Sequence, residues 1–406
     1  MKIASVIVVL VVVTIGLGAQ GPLLWPQWRG PARDGHSSVA LPATWPGSLP
    51  KRWEIAVGVG HSSPVVTGDR VVIHTRQGER EVTRALALAT GKELWRDEYA
   101  APYTMNPAAR GHGPGPKSTP AIADGRVVTL GISGILSALD LATGKLLWRT
   151  PAPPEPPEFG TAMSPVFDGG TVIAHTGGKD RGALTAFDAA TGSVRWRWSG
   201  DGPGYASPVI ATIAGTRHVI TQSQRAVIGV SAGDGTLLWR IPFTTAYEQN
   251  AVTPLVGGDV VVYSGLDAGT TAVRISRSGT TWTPTPLWKN EQVSMYMSSP
   301  IVSGRVLIGL SHRNRGQLFA LDLGSGKTLW TTPGREGENA SLIVSDETLL
   351  VSTTDAELIV ARANAAKYDE VRRYTIAESA VWAHPALAPG TLLVKDVDKL
   401  IAWTLP

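Results

Sequence analysis

The side chains able to do chemistry are spread along this sequence rather than clustered. His61, His112 and His384 each stand within a few residues of a proline, and neutral imidazole is a common metal ligand. They come from distant segments, with no Glu-x-x-His or similar ligand spacing, so no metal site is expected. Glu248, Glu291 and Glu338 could in principle supply a carboxylate pair for acid–base work, but nothing in their spacing brings them together, and they read as loop charge. Serines followed by proline have no paired base and read as structural. The chain contains no cysteine, which excludes disulfides, thiolate metal sites, covalently attached c-type haem and a cysteine nucleophile. No catalytic residue is assigned.

What these side chains share is a place in a repeat. Ser63-Pro64, Thr119-Pro120, Ser164-Pro165, Ser207-Pro208, Thr253-Pro254, Ser299-Pro300, Ser341-Leu342 and His384-Pro385 each open a unit. A short apolar strand follows each opening, then a Gly- or Asp-containing turn, then a β-branched strand such as Val71-Val72-Ile73. The residues just before each opening should ring one face around a common axis. His61, His112, Lys117, Tyr205, Asn250, Tyr296, Asn339, Trp382 and His384 are therefore the candidate rim residues for a ligand. The competing account is that they fill a narrow channel.

Each unit ends in a hairpin, best seen over residues 138–150, ALDLATGKLLWRT. Alternation around Leu139 and Leu141 predicts a strand. Gly144 can take positive φ, Asp140 can accept turn N–H groups, and Trp148 stands on the returning strand. A ring this large buries about 150–250 Å². That is about 4–6 kcal/mol as an upper bound, and one hairpin cannot cover it, so a neighbouring unit must. Copies of the hairpin end at Trp95, Trp196, Trp239 and Trp330, with Asp188, Gly192, Asp322 and Gly326 as the equivalents of Asp140 and Gly144. Degenerate copies end at Trp288 and Tyr374. Counting Trp53, the aromatic recurs every 42–53 residues. Such a period means a solenoid or propeller, and four strands per unit favour the propeller.

The ends set the count. The last unit, after Trp382, holds only three strands, while residues 51–57 form an outer strand without a unit of its own. The expectation is an all-β, eight-bladed propeller over residues 51–406 with four-stranded antiparallel blades, closed by the strand at 51–57, which removes an exposed sheet edge. Residues 1–19 have the layout of a secretory signal, or of an uncleaved anchor, which predicts an exported, periplasmic or secreted protein with no membrane span after cleavage. Residues 20–50 form a Trp/Pro/Gly-rich arm whose Trp25 and Trp28 should dock on the body. The net charge of +4 is small, and no basic run is interleaved with aromatics, so nucleic acid is not an expected partner. A monomer is expected. Several loops on the rim face are basic, Arg76–Arg80, Lys179–Arg181, Arg225 and Arg313–Arg315, and residues 97–118 form an unusually long inter-blade loop suited to a lid or docking element.

The pattern A-L-D-x-x-T-G-K-x-x-W at Ala138 to Trp148, and at Ala320 to Trp330 with Ser325 for Thr, resembles the repeat of the pyrroloquinoline-quinone (PQQ)-type propellers. Members include quinoprotein alcohol dehydrogenases and the lipoprotein component B of the outer-membrane β-barrel assembly machine. The opening WPQWRGPARDG is similar to a secreted bacterial subgroup. The resemblance implies, for the enzymes, PQQ over the axis held by calcium, a carboxylate base, an Arg, a Trp and a vicinal cysteine pair. That pair is missing here, so no catalytic residue transfers. The expectation is a non-catalytic binding or scaffold module for a protein or small ligand on the rim face, without cofactor; the alternative is a PQQ-dependent, alcohol-dehydrogenase-like oxidoreductase with a reduced site.

Overall fold

A computed structural model describes residues 23–406, so the leader expected over 1–19 lies outside the described residues. Eight antiparallel sheets account for nearly all regular structure. Segments 65–100, 121–149, 166–198, 209–242, 255–290, 301–331 and 340–375 form blades 1 to 7. Blade 8 takes three strands from 386–404 and its fourth from Lys51–Ala56. Trp53 pairs with Ala402 and Lys51 with Trp403, so the ring closes as its ends predict. The closing strand stops one residue short of Val57, whose amide donates to Asp398 O at 2.8 Å.

The hairpin motif works by gripping the indole of the blade before it. Asp140 Oδ1 accepts from the Thr143 amide at 2.8 Å and from its hydroxyl at 2.6 Å, which fixes the turn. Gly144 sits at φ +74°, and a Cβ there would meet the Trp95 ring at 2.6 Å. Backbone and space both demand glycine. Trp95 Nε1 donates to Leu141 O beside the same turn at 3.0 Å. Trp53, Trp148, Trp196, Trp288 and Trp330 make the equivalent bond to the following blade. Asp188 and Asp322 hold their turns as Asp140 does, and Gly192, Gly235 and Gly326 press on Trp148, Trp196 and Trp288. Trp239 departs from the rule. Blade 5 replaces the tight turn with two ten-residue strands, and the buried Trp239 Nε1 has no partner.

A second belt runs near the axis. The Ser63 amide donates to Thr119 Oγ1, Thr119 to Ser164 Oγ, Ser164 to Ser207 Oγ, Ser207 to Thr253 Oγ1 and Thr253 to Ser299 Oγ, all at 2.9–3.2 Å. Proline cannot donate, so the hydroxyl before it is placed to accept from the neighbouring inner strand. This is why small hydroxyl residues recur at that step.

The arm does more than dock. Leu23–Trp25 adds a fifth strand to the inner edge of blade 1, pairing Leu23 with Thr67 and Trp25 with Val66. Because Val65–Thr67 runs away from the rim face, the arm enters the channel from the opposite end and climbs toward it. Pro26 O accepts from the Ile122 amide of blade 2. The chain then reverses through Arg29, Gly30, Arg33 and Gly35, all with positive φ. Arg29 donates to Pro300 O, and Arg33 donates to Ser164 O and Pro165 O at 3.0 Å. Gly35 and Ser37 bracket Val344 of blade 7, and the arm leaves past Tyr374, whose hydroxyl donates to Pro46 O at 2.7 Å. A plug touching six blades therefore seals one end of the axis.

Candidate functional site

Above the plug lies a cavity of about 580 Å³, open on the rim face and lined from all eight blades. Most of its lining comes from the segments that lead into the inner strands. The first residue of each opening step lines it in every blade but blade 3, and so does the residue two places earlier in all eight. The outer of these positions carries His61, Lys117, Ala162, Tyr205, Ala251, Met297, Asn339 and Trp382 in blades 1 to 8, and every one lines the cavity. The inner position carries the stitching hydroxyls, with His384 in blade 8.

Eight of the nine candidate rim residues line this cavity. Asn250 does not. It stands one residue out of phase and is fully buried, with Nδ2 donating to Ser223 O, Gln224 O and Phe243 O at 2.8–3.1 Å. It braces a loop, and its neighbours Gln249 and Ala251 face the cavity instead. His384 belongs to the floor. Its ring stacks on Trp25 with centroids 5.8 Å apart, and its nitrogens contact Pro385 O and Leu342 O at 2.9 and 3.2 Å. Burial pushes its pKa down to about 4, so it is neutral at physiological pH.

His61, His112 and Trp382 gather into one corner. The His112 and Trp382 rings meet edge-on with centroids 4.6 Å apart, and His61 lies 6.0 Å from each. Burial, then the charges of neighbouring groups, pushes His61 down to about 3. Burial also holds His112 below its ordinary value. Lys117 donates to Phe159 O at 2.7 Å, and burial lowers its ammonium to about 8. Further round the wall the Phe159 and Tyr205 rings lie 6.0 Å apart, and Tyr296 donates to Gln249 Oε1. Asn339 accepts from the Met297 amide at 3.2 Å, while its Nδ2 has no partner.

The sequence pattern did not reveal that the arm supplies Trp28 and Arg29 to this lining. The only available signal was the dense Trp and Arg content of WPQWRGPARDG. Nor did it give the phase rule that separates Asn250 from its neighbours. The long loop is shorter than expected, because the outer strand Glu93–Ala100 runs on past Asp97. What remains folds into a short 3₁₀ helix, Pro107–His112, capped by Asn106, and Asn106, Ala108, Ala109 and His112 border the mouth. Tyr247, 79 % exposed and at φ +56°, stands across from it.

The arrangement has the size and the mixed aromatic and polar lining of a ligand pocket. Among the described residues no group of three or more His, Asp or Glu is placed to hold a metal ion. Of the three loop glutamates, Glu248 pairs with Lys179 at 2.9 Å and Glu291 with Lys289 at 3.0 Å, and none of Glu248, Glu291 and Glu338 lines the cavity. The basic loops are largely neutralised: Arg225 pairs with Asp180 and Asp201, Arg181 with Glu155, and the buried Arg76 donates to Gly78 O and Ala101 O.

Comparison with known proteins bears on the whole ring. Over 124 residues, 28% of this chain, the sequence is 38% identical to the alcohol dehydrogenase (quinone), dehydrogenase subunit, of Komagataeibacter europaeus, and it spans only 16% of that subunit. Against the outer membrane protein assembly factor BamB of Yersinia pestis it is 25% identical over 366 residues, 85% of this chain and 86% of that one. The crystal structure of BamB from Moraxella catarrhalis superposes with a TM-score of 0.64 at 16% identity, covering 88% of this chain and 99% of that one, a likeness of fold. The sequence signature described as outer membrane protein assembly factor BamB matches residues 78–332, more than half of the chain, and the chain belongs to that family.

Proposed function

We propose that this protein is an exported, non-catalytic binding module whose working surface is the rim face and the axial cavity beneath it. One observation carries the reading. The cavity is sealed at one end, its size is that of a ligand pocket, and it is walled by aromatic rings and hydrogen-bond donors with Glu158 as its one lining carboxylate. A scaffold role in assembly, engaging a protein partner through the same face, agrees with the family to which the chain belongs. The signal-like stretch at 1–19 supports export. Among the described residues no helix is long and apolar enough to cross a membrane.

The dehydrogenase likeness favours a second reading, a PQQ-dependent oxidoreductase. The residues present do not fit that cofactor. The walls offer Trp28, Trp382 and Arg29, but the chain has no cysteine pair, and the described residues include no metal-binding cluster to hold calcium. We derive no step through the quinone.

A photo-crosslinking amino acid at Tyr247, on the rim, and at Arg305, at the far end of the blades, tests the proposal in the native cell. Specific adducts from position 247 and none from 305 are expected. Adducts from 305 alone would overturn the rim-face reading. Incubation with PQQ and calcium tests the alternative: a bound chromophore with alcohol-driven dye reduction would replace binding with catalysis.

A further inference from the structure

The rim loop that joins blade 2 to blade 3 opens with PAPPEPP at residues 151–157, five prolines in seven. Every residue of that run is a proline or stands directly before one. Proline holds φ at about −65°, and the residue before it is driven to extended geometry. The run is thereby confined to the left-handed polyproline II helix, with three residues per turn and no internal hydrogen bonds. Two observations agree. No strand or helix covers residues 151–157, and none of residues 151–156 makes a backbone hydrogen bond. Exposure also follows a period of three. Pro151 and Pro154 are exposed, Ala152, Glu155 and Glu158 are exposed, and Pro153, Pro156 and Phe159 are half-buried. Two edges of a three-sided helix face solvent and the third faces the protein, until the buried Pro157 ends the open stretch.

The run lies across the seam between the two blades, on two glycines. A Cβ at Gly134 of blade 2 would meet Pro153 Cγ at 2.8 Å, and one at Gly178 of blade 3 would meet Glu155 Cβ at 2.8 Å. A strand held in this way is already in its binding form and has little ordering entropy left to lose. Such strands are recognised by aromatic-walled grooves that take their proline rings. Pro151 and Pro154 have the P-x-x-P spacing that sets two rings on one edge, and both are open to solvent. The neighbouring edge carries the exposed carboxylates of Glu155 and Glu158. Glu155 lies 3.5 Å from the exposed Arg181, a surface pair that is easily exchanged for another cation. We infer that residues 151–158 form a docking strand for a partner protein with an aromatic-walled groove and a basic side chain at its edge. Pro151 and Pro154 fill the groove, and Glu155 meets the cation. The inference rests on the rim-face reading above and gives the partner's surface a chemistry.

A photo-crosslinking amino acid in place of Ala152, in the full chain and in the native cell, tests it. The expected result is an adduct that mass spectrometry maps to a partner segment holding Trp or Tyr. Its yield falls about fivefold when Pro151→Ala and Pro154→Ala are combined. Glu155→Lys lowers it as well, and Glu155→Gln lowers it less. The urea midpoint of the double proline variant stays at the parent value, because both rings are exposed. No adduct, an adduct joining two copies of this chain, or one mapped to a segment without aromatic residues would overturn the docking strand. So would a yield indifferent to the double variant, or one lost only together with a fall in the urea midpoint. Adducts from position 247 with none from 152 would sink this inference and leave the rim-face reading standing, whereas adducts from 305 alone would sink that reading.

Discussion

The outer belt of indoles and the inner ring of cavity residues are both built from one position per blade, yet they behave in opposite ways. In the belt nearly every blade repeats the same residue: Trp95, Trp148, Trp196, Trp239, Trp288 and Trp330. Around the cavity the corresponding position is His, Lys, Ala, Tyr, Ala, Met, Asn and Trp in turn. Repetition is what a ring of like interfaces requires, since each blade must fit the next. Eightfold variation at a geometrically equivalent position has no such origin. It agrees with the proposed binding of something without eightfold symmetry. Tryptophan appears in both regions, so one substitution can be compared between them.

The largest expected effect is in the belt. Trp148→Ala removes a ring only 9% exposed together with its bond to Ala189 O, and should lower unfolding free energy by about 3–5 kcal/mol in urea titration. Trp382→Ala opens an existing cavity wall and should leave the urea midpoint nearly unchanged. A destabilisation matching that of Trp148→Ala would erase the distinction. Gly144→Ala comes next, because it combines positive φ with a clash against Trp95, and about 2–3 kcal/mol is expected.

Acid should separate the regions as well. His61, His175 and His384 are held by burial at about 3, 4 and 4, below the ordinary 6.5. The unfolded chain therefore takes up protons that the native state refuses, and stability falls as pH drops from about 6.5 toward 4. The slope is about 1.4 kcal/mol per pH unit for each imidazole. Replacing His175 by Phe should flatten that slope, as read by urea midpoints between pH 7 and 5. An unchanged slope would remove His175 from the account. The smallest effect belongs to the axial stitches: Ser207→Ala deletes the acceptor for the Ser164 amide and should cost about 1 kcal/mol.

Those same two regions explain what the sequence discloses. The belt was legible because turn glycine, turn aspartate and tryptophan are each demanded by local geometry and recur at a countable spacing. Ring closure by Lys51–Ala56 was legible from the strand missing after Trp382. The cavity was legible as a set of segments but not as a set of side chains. Asn250 and Tyr296 stand at equivalent places before their openings, yet Tyr296 lines the cavity while Asn250 turns away to the carbonyls of Ser223, Gln224 and Phe243, which lie outside any local pattern. The plug was hidden for a different reason. Arg29 and Arg33 are charged residues in a segment without periodicity, and their burial depends on carbonyls of Pro300, Ser164 and Pro165, far away in sequence.

The most direct test of the division between a repeated frame and a varied binding ring is the triple variant His61→Ala, Lys117→Ala, Trp382→Ala, followed by urea unfolding and by photo-crosslinking from position 247. The account predicts a smaller loss of unfolding free energy than Trp148→Ala alone causes, because the three side chains line an open cavity, together with loss of the adducts from position 247. A protein that loses its folded state, or one that crosslinks from position 247 as before, would contradict it.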